Sequence, residues 1–168
     1  MKNTILRYGI KSAITICILA LIGWIFGKNL DYSIQEIIGY AGMIVSLAFV
    51  FFGIKYYRDQ ENSGKVSFGK ALWIGTLISF MAALAFGILD SIYVTYINPD
   101  FMNDYYTYYV EQLRSSLTDE EFQIKLKELN AQKELFSNVF MSFFIMFATV
   151  MSIGLIISLL SALALQRK

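Results

Sequence analysis

Residues 135–166 read LFSNVFMSFFIMFATVMSIGLIISLLSALALQ, 32 positions without a charge. A helix needs about 20 predominantly apolar residues to cross roughly 30 Å of hydrocarbon, and this run exceeds that length. Three further stretches stand out on working back from it: Ser12 to Gly27 with 16 uncharged residues, Ile37 to Ile54 with 18, and Ala71 to Leu89 with 19. A soluble bundle would carry charge every three or four residues on its wet faces, and these runs lack that stripe. The first run is expected to be retained rather than cleaved as a signal peptide. Its exit, Trp24-Ile25-Phe26-Gly27-Lys28-Asn29, offers no small-x-small cleavage site. The sequence thus predicts an all-α membrane protein with one integral-membrane domain over residues 1–168 and four transmembrane helices, at about 10–27, 37–57, 69–97 and 136–165.

Composition agrees and removes several function classes. The 168 residues are 57% hydrophobic and 16% charged, against about 45–50% and 25% in soluble domains. With no His and one Cys, a single copy cannot form a Ser-His-Asp or Cys-His nucleophile, a histidine metal site or a disulfide. An enzyme is not expected, and no cofactor or metal is implied. A net charge of +1 gives no broad basic surface for nucleic acid. Cys17 lies mid-span between Ile16 and Ile18 and reads as an inert small side chain.

The basic residues are distributed unevenly. Lys2, Arg7, Lys11, Lys55, Arg58, Lys65, Lys70, Arg167 and Lys168 fall on one side of the predicted spans; Lys28, Arg114, Lys125, Lys127 and Lys133 fall on the other. Lys and Arg are retained in the cytoplasm, so both termini and the loop after the second span are expected there. Counting the acids, the inner side carries +7 and the outer side −5, with Asp90 left over. Tyr8, Tyr56, Tyr57 and Trp73 would mark the inner interface, and Trp24, Tyr32, Tyr93 and Tyr96 the outer one.

Residues 98–135 form a predicted extracytoplasmic helical hairpin between the third and fourth spans. Pro99 should end the third span at Asn98, because the residue before proline is pushed out of the helical region. Tyr106, Tyr109 and Leu113 recur at helical spacing, as do Phe122, Leu126 and Leu129. Thr118-Asp119-Glu120-Glu121 has the form of a capping box and should start the second helix. With no Gly or Pro before Gly154, that helix is expected to run on unbroken into the fourth span. The apolar stripe either grips a partner or folds back on the outer helix ends and the lipid interface.

Asp90 is the one acid in or beside the membrane. Intramembrane carboxylates suggest an ion path or proton relay. About 21 residues beyond Gly69, however, Asp90 would lie roughly 31 Å along the helix. There it could be hydrated, or bonded to Tyr93 or Lys28. One carboxylate also falls short of the pair an aspartyl protease needs. Small residues supply the other candidates: Gly75, Ser79, Ala83 and Gly87 in the third span, Gly154, Ser158 and Ala162 in the fourth, and Gly23 and Gly27 in the first. Such rows allow the close backbone approach by which helices associate in lipid. The loop Arg58–Lys65 lacks the glycine pattern of a phosphate-binding loop, and neither broken helices nor inverted halves point to a secondary transporter.

Tyr57-Arg58-Asp59, Gly64, Ser67-Phe68-Gly69-Lys70-Ala71 and Tyr96-Ile97-Asn98-Pro99-Asp100-Phe101 resemble a family of small bacterial membrane proteins, found mainly in Bacteroidota and catalogued as domain of unknown function 4199. The resemblance implies a multi-pass inner-membrane protein and carries over no catalytic residues. The expected role is that of a non-enzymatic accessory or interaction protein, its partners the lipid bilayer and a second copy or another membrane protein. The alternative is a small transporter or channel component using Asp90.

Overall fold

The computed structural model describes residues 1–167. Among them run six α-helices: α1 (Lys2–Phe26), α2 (Tyr32–Tyr56), α3 (Phe68–Ile92), α4 (Phe101–Ser116), α5 (Asp119–Ser137) and α6 (Val139–Leu165). Helices α2 and α3 each continue into a five-residue π-helical turn, Tyr57–Glu61 and Tyr93–Ile97. Four segments are long and apolar enough to cross a membrane: Lys2–Phe26, Tyr32–Glu61, Phe68–Ile97 and Val139–Leu165. They correspond to the four predicted spans. Lys168, one of the basic residues assigned to the inner side, lies outside the described residues.

Two boundaries differ from the expectation for one reason. Helix α1 begins at Lys2 rather than near residue 10, and α2 at Tyr32 rather than 37. Charge-free runs mark only the apolar part of a helix. Lys2, Arg7, Lys11 and Glu36 are all exposed, and an exposed charge does not interrupt backbone hydrogen bonding. At its other end α3 and its π-turn stop at Asn98, just before Pro99, with the Asn98 N–H donating to the Tyr93 carbonyl at 2.8 Å.

The expected unbroken run from α5 into α6 is corrected. Asn138 leaves the helical region, with φ −92° and ψ 116°. Its side-chain oxygen accepts the backbone N–H groups of Phe140 and Met141 at 3.0 and 3.3 Å. Asparagine is among the best residues for satisfying the open donors of a helix start, so neither Gly nor Pro is needed to break the chain there.

The chain divides into two compact units: Met1–Phe86 together with the residues from Met146 onward, and Gly87–Ile145. The first unit is a helical bundle. Leu47, Val50, Ile54, Ile74, Ile78, Ala82, Ala83, Val150 and Ala162 are fully buried in its core. The outward faces remain apolar, as at Ile14, Val45, Trp73 and Leu160, which is the inverse of a water-soluble surface and suits lipid.

In the second unit α4 and α5 pack side by side in opposite directions. Lys133, late in α5, sets its ammonium 4.5 Å from the ring centroid of Tyr106, early in α4. The capping box at Thr118 is present: the Glu121 carboxylate accepts the Thr118 N–H at 3.2 Å and its hydroxyl at 2.7 Å. Asp119, Glu120 and Glu121 place negative charge in the first turn, where the helix dipole favours it. An aromatic row runs from Tyr93 through Phe101 and Tyr105 to Tyr109, with centroids 4.5–6.1 Å apart.

Candidate functional site

The small residues of α3 and α6 interlock in the first unit. A methyl added to Gly154 would lie 2.5 Å from Ser79 Cβ, and one added to Gly75 would lie 2.7 Å from Ser158 Oγ. Each glycine therefore receives a serine from the opposite helix. Both hydroxyls donate one turn back, Ser79 to the Gly75 carbonyl at 2.9 Å and Ser158 to that of Gly154 at 2.6 Å. They also lie 3.4 Å from each other. Ala83 and Ala162 are fully buried. A serine bonded to its own helix costs little in lipid, because no polar group is left without a partner.

Gly23 takes no part in a tight contact, and Gly27 is tight only against its own helix, where a methyl would run into the Gly23 carbonyl oxygen. The nearest atom to a methyl on Gly23 would be Ile38 Cγ2 at 3.9 Å, an ordinary contact, and Gly27 lies just past the end of α1 as its C-cap. The close face of α1 lies at Thr4, Gly9, Ser12 and Ile16, all buried. The Ser12 hydroxyl donates to the Ser46 carbonyl of α2 at 2.7 Å, Gly9 lies against Met81, and Gly53 of α2 lies against Tyr8 and Ile78. The signal in the sequence was a set of small polar residues, Thr4, Ser12 and Ser46, rather than the more conspicuous glycine pair.

In the second unit, Gly87 and Asp90 share one stretch of α3. A methyl on Gly87 would lie 3.0 Å from two ring carbons of Phe143, so α6 passes close there. One turn on, Asp90 is buried at 9% exposure, and its Oδ2 accepts the Ser142 hydroxyl at 3.3 Å. Spacing along α3 pointed to hydration, or to Tyr93 or Lys28 as its partner. Instead the Tyr93 hydroxyl accepts from Asn98 at 3.3 Å. Ser142 was recognisable as the single polar residue in Val139–Ala148, but nothing local in the sequence joins it to an acid 52 positions away. The Thr95 Oγ1 is buried without a hydrogen-bond partner. The pair of Asp90 and Ser142 can hold a proton or a hydrogen bond.

At the C-terminal end of α2, in the first unit, lies a polar knot. Arg58 is 7% exposed and grips Asp59 with two nitrogens at 2.6 and 3.0 Å. A third guanidinium nitrogen donates to the Leu165 carbonyl in the last turn of α6 at 3.4 Å. Glu61 accepts the Thr4 hydroxyl at 2.5 Å and pairs with the Met1 amine. Val66 and Arg167 exchange two backbone hydrogen bonds at 3.0 and 2.8 Å. Ser63 and Gly64, at φ 51° and 81°, turn the chain between these contacts through the left-handed region that glycine tolerates best.

The family model described as protein of unknown function (DUF4199) matches residues 7–167. The chain belongs to this family. No curated protein and no solved structure matches it. Two short stretches of this DUF4199 protein have structural roles that can be stated. Tyr57-Arg58-Asp59 supplies the buried guanidinium and its carboxylate, and Asn98-Pro99 ends the third apolar span.

Proposed function

We propose that this DUF4199 protein is a non-enzymatic, multi-pass protein of a bacterial inner membrane, with both termini cytoplasmic, that acts as an accessory subunit through its extracytoplasmic α4–α5 hairpin. The observation that carries this reading is the incomplete burial of the hairpin. Among the described side chains of α4 and α5 none is fully buried, and the stripes of Tyr106, Tyr109, Leu113, Phe122, Leu126 and Leu129 are covered in part. Helices of this length gain most of their stability from packing of their apolar faces. Ile124 is 59% exposed in addition. Burying such a side chain completely contributes about 1.5–3 kcal/mol relative to full exposure, so a partner seated over Ile124 gains part of that from this position. The +7 and −5 division of charge supports the orientation.

The test is photo-crosslinking in native membranes from a benzoylphenylalanine placed at Ile124, with a second at Leu160 on the apolar face of α6 as a lipid-facing control. A discrete protein adduct from position 124 alone is the expected result. Absence of any protein adduct there, in a protein that retains its helicity, overturns the accessory reading.

The burial of Asp90 beside one hydroxyl favours a second reading, a transporter or channel component. It predicts that Asp90→Asn abolishes proton or cation flux in proteoliposomes; no flux in the unsubstituted protein removes it.

A further inference from the structure

The end of α1 that carries its basic residues has a feature that the helix packing does not use. Gly53 lets α2 approach α1 beside Tyr8, which brings the Tyr8 and Tyr56 rings to 5.7 Å between centroids. Two cations converge on these rings. The Arg7 guanidinium lies 5.3 Å from the Tyr56 centroid and 6.0 Å from that of Tyr8, and the Lys11 ammonium lies 5.2 Å from Tyr8. Both cations are exposed, and neither has an acidic partner among the described residues. The two acids of the neighbouring π-turn are already engaged, Asp59 by Arg58 and Glu61 by Thr4 and the Met1 amine. Two like charges gathered on one ring without a counter-ion form a site of unmet positive potential.

The same face of α1 continues in apolar side chains. At about 100° per residue, Arg7, Lys11, Ile14, Ile18 and Ile25 fall within roughly 60° of arc. Ile14, Ile18 and Ile25 are exposed at 54%, 50% and 64%. From Ile14 to Ile25 the stripe measures about 17 Å, slightly more than the roughly 15 Å of hydrocarbon in one leaflet. The face therefore has the profile of a phospholipid, with paired cations and tyrosines at headgroup level and a leaflet-length aliphatic track beneath.

We propose that Arg7, Lys11, Tyr8 and Tyr56 form a binding site for the headgroup of an anionic phospholipid, whose acyl chain lies along Ile14, Ile18 and Ile25. The guanidinium forks onto the phosphate oxygens while the Lys11 ammonium adds a point charge. The tyrosine rings hold both cations in place. The site concerns the leaflet at the start of α1 and is independent of the hairpin's role.

Native mass spectrometry of the detergent-solubilised protein tests it, using phosphatidylglycerol and phosphatidylcholine of matched chains. Phosphatidylglycerol should be retained preferentially. Arg7→Gln with Lys11→Gln should weaken its retention about thirtyfold, from the contribution expected of two basic residues at a membrane surface. The charge-matched control, Lys2→Gln with Lys65→Gln, should retain it. Equal loss in the control would reduce the effect to net charge and overturn the site. So would equal retention of the two lipids, or displacement of phosphatidylglycerol by millimolar inorganic phosphate, which would make the ligand a soluble anion. Should the double variant lose helicity, Tyr56→Leu takes its place and must weaken retention of phosphatidylglycerol without affecting phosphatidylcholine.

Discussion

Replacing Gly154 by Ala tests the interlock of α3 and α6 most directly. The new methyl would sit 2.5 Å from Ser79 Cβ and 2.6 Å from its Oγ, whereas carbon atoms rest at about 3.5–4.0 Å. Because the obstructing atom is a Cβ fixed to the α3 backbone, rotating a side chain cannot relieve the overlap; the helices must part locally by about 1 Å. Overpacking of this kind costs about 1–3 kcal/mol. Alanine also favours a helix over glycine by up to about 1 kcal/mol, and that gain has to be separated from the clash. Gly39 provides the reference, since a methyl there meets nothing within 4 Å. Unfolding in mixed micelles, followed by circular dichroism, should therefore place Gly154→Ala about 1–3 kcal/mol below Gly39→Ala. Adding Ser79→Gly removes the obstructing atom, and the double variant should be more stable than the sum of the two single changes by about 1–2 kcal/mol. Strict additivity, or a Gly154→Ala protein as stable as Gly39→Ala, would refute the interlock.

Three other outcomes follow from particular contacts. Asp90→Ala removes the acceptor of the Ser142 hydroxyl and should destabilise by about 1 kcal/mol, whereas Asp90→Asn, which keeps an oxygen there, should cost less; the same micelle titration compares them. Asn138→Ala removes the cap that starts α6 and should cost about 1 kcal/mol, with hydrogen exchange at Phe140 and Met141 slowing if the break instead closes into continuous helix. The Glu121 carboxyl is held below its usual range by the Thr118 hydroxyl and N–H. A lowered folded-state value means that its contribution is present above the ordinary glutamate range near pH 4.3 and fades as pH falls through the lowered value. Amide shifts at Thr118–Phe122 should titrate accordingly, and Thr118→Ala should move the midpoint upward.

The four apolar spans were legible because a charge-free run of membrane length leaves a helix no wet face to present to water. Their ends were not, since Lys2, Arg7 and Lys11 belong to α1 yet interrupt nothing. The capping box at Thr118 and the stop at Pro99 depend on neighbouring residues only, and both could be read directly. Asn138 also acts locally, but it was concealed by the expectation that a break requires Gly or Pro. Contacts between distant helices were legible only in part. Regular spacing drew attention to Gly75, Ser79, Gly154 and Ser158, which do meet. It also drew attention to Gly23 and Gly27, because glycines are conspicuous, while the close face of α1 is made by Thr4, Gly9 and Ser12. The partner of Asp90 depends on which face α6 turns towards α3, and no local pattern encodes that.

The buried Arg58 has a consequence for the order of events during synthesis. Its carbonyl acceptor on Leu165 lies 107 residues further along the chain, so at about 5–20 residues per second it emerges roughly 5–20 s later. Throughout that interval the guanidinium has Asp59 beside it but not the helix end it finally caps, and Ser79 of α3 has no Gly154 to meet. The nascent protein thus passes through a three-span stage with a polar, small-residue flank facing its surroundings. Shielding that flank until the last helix arrives is a task for the insertion machinery.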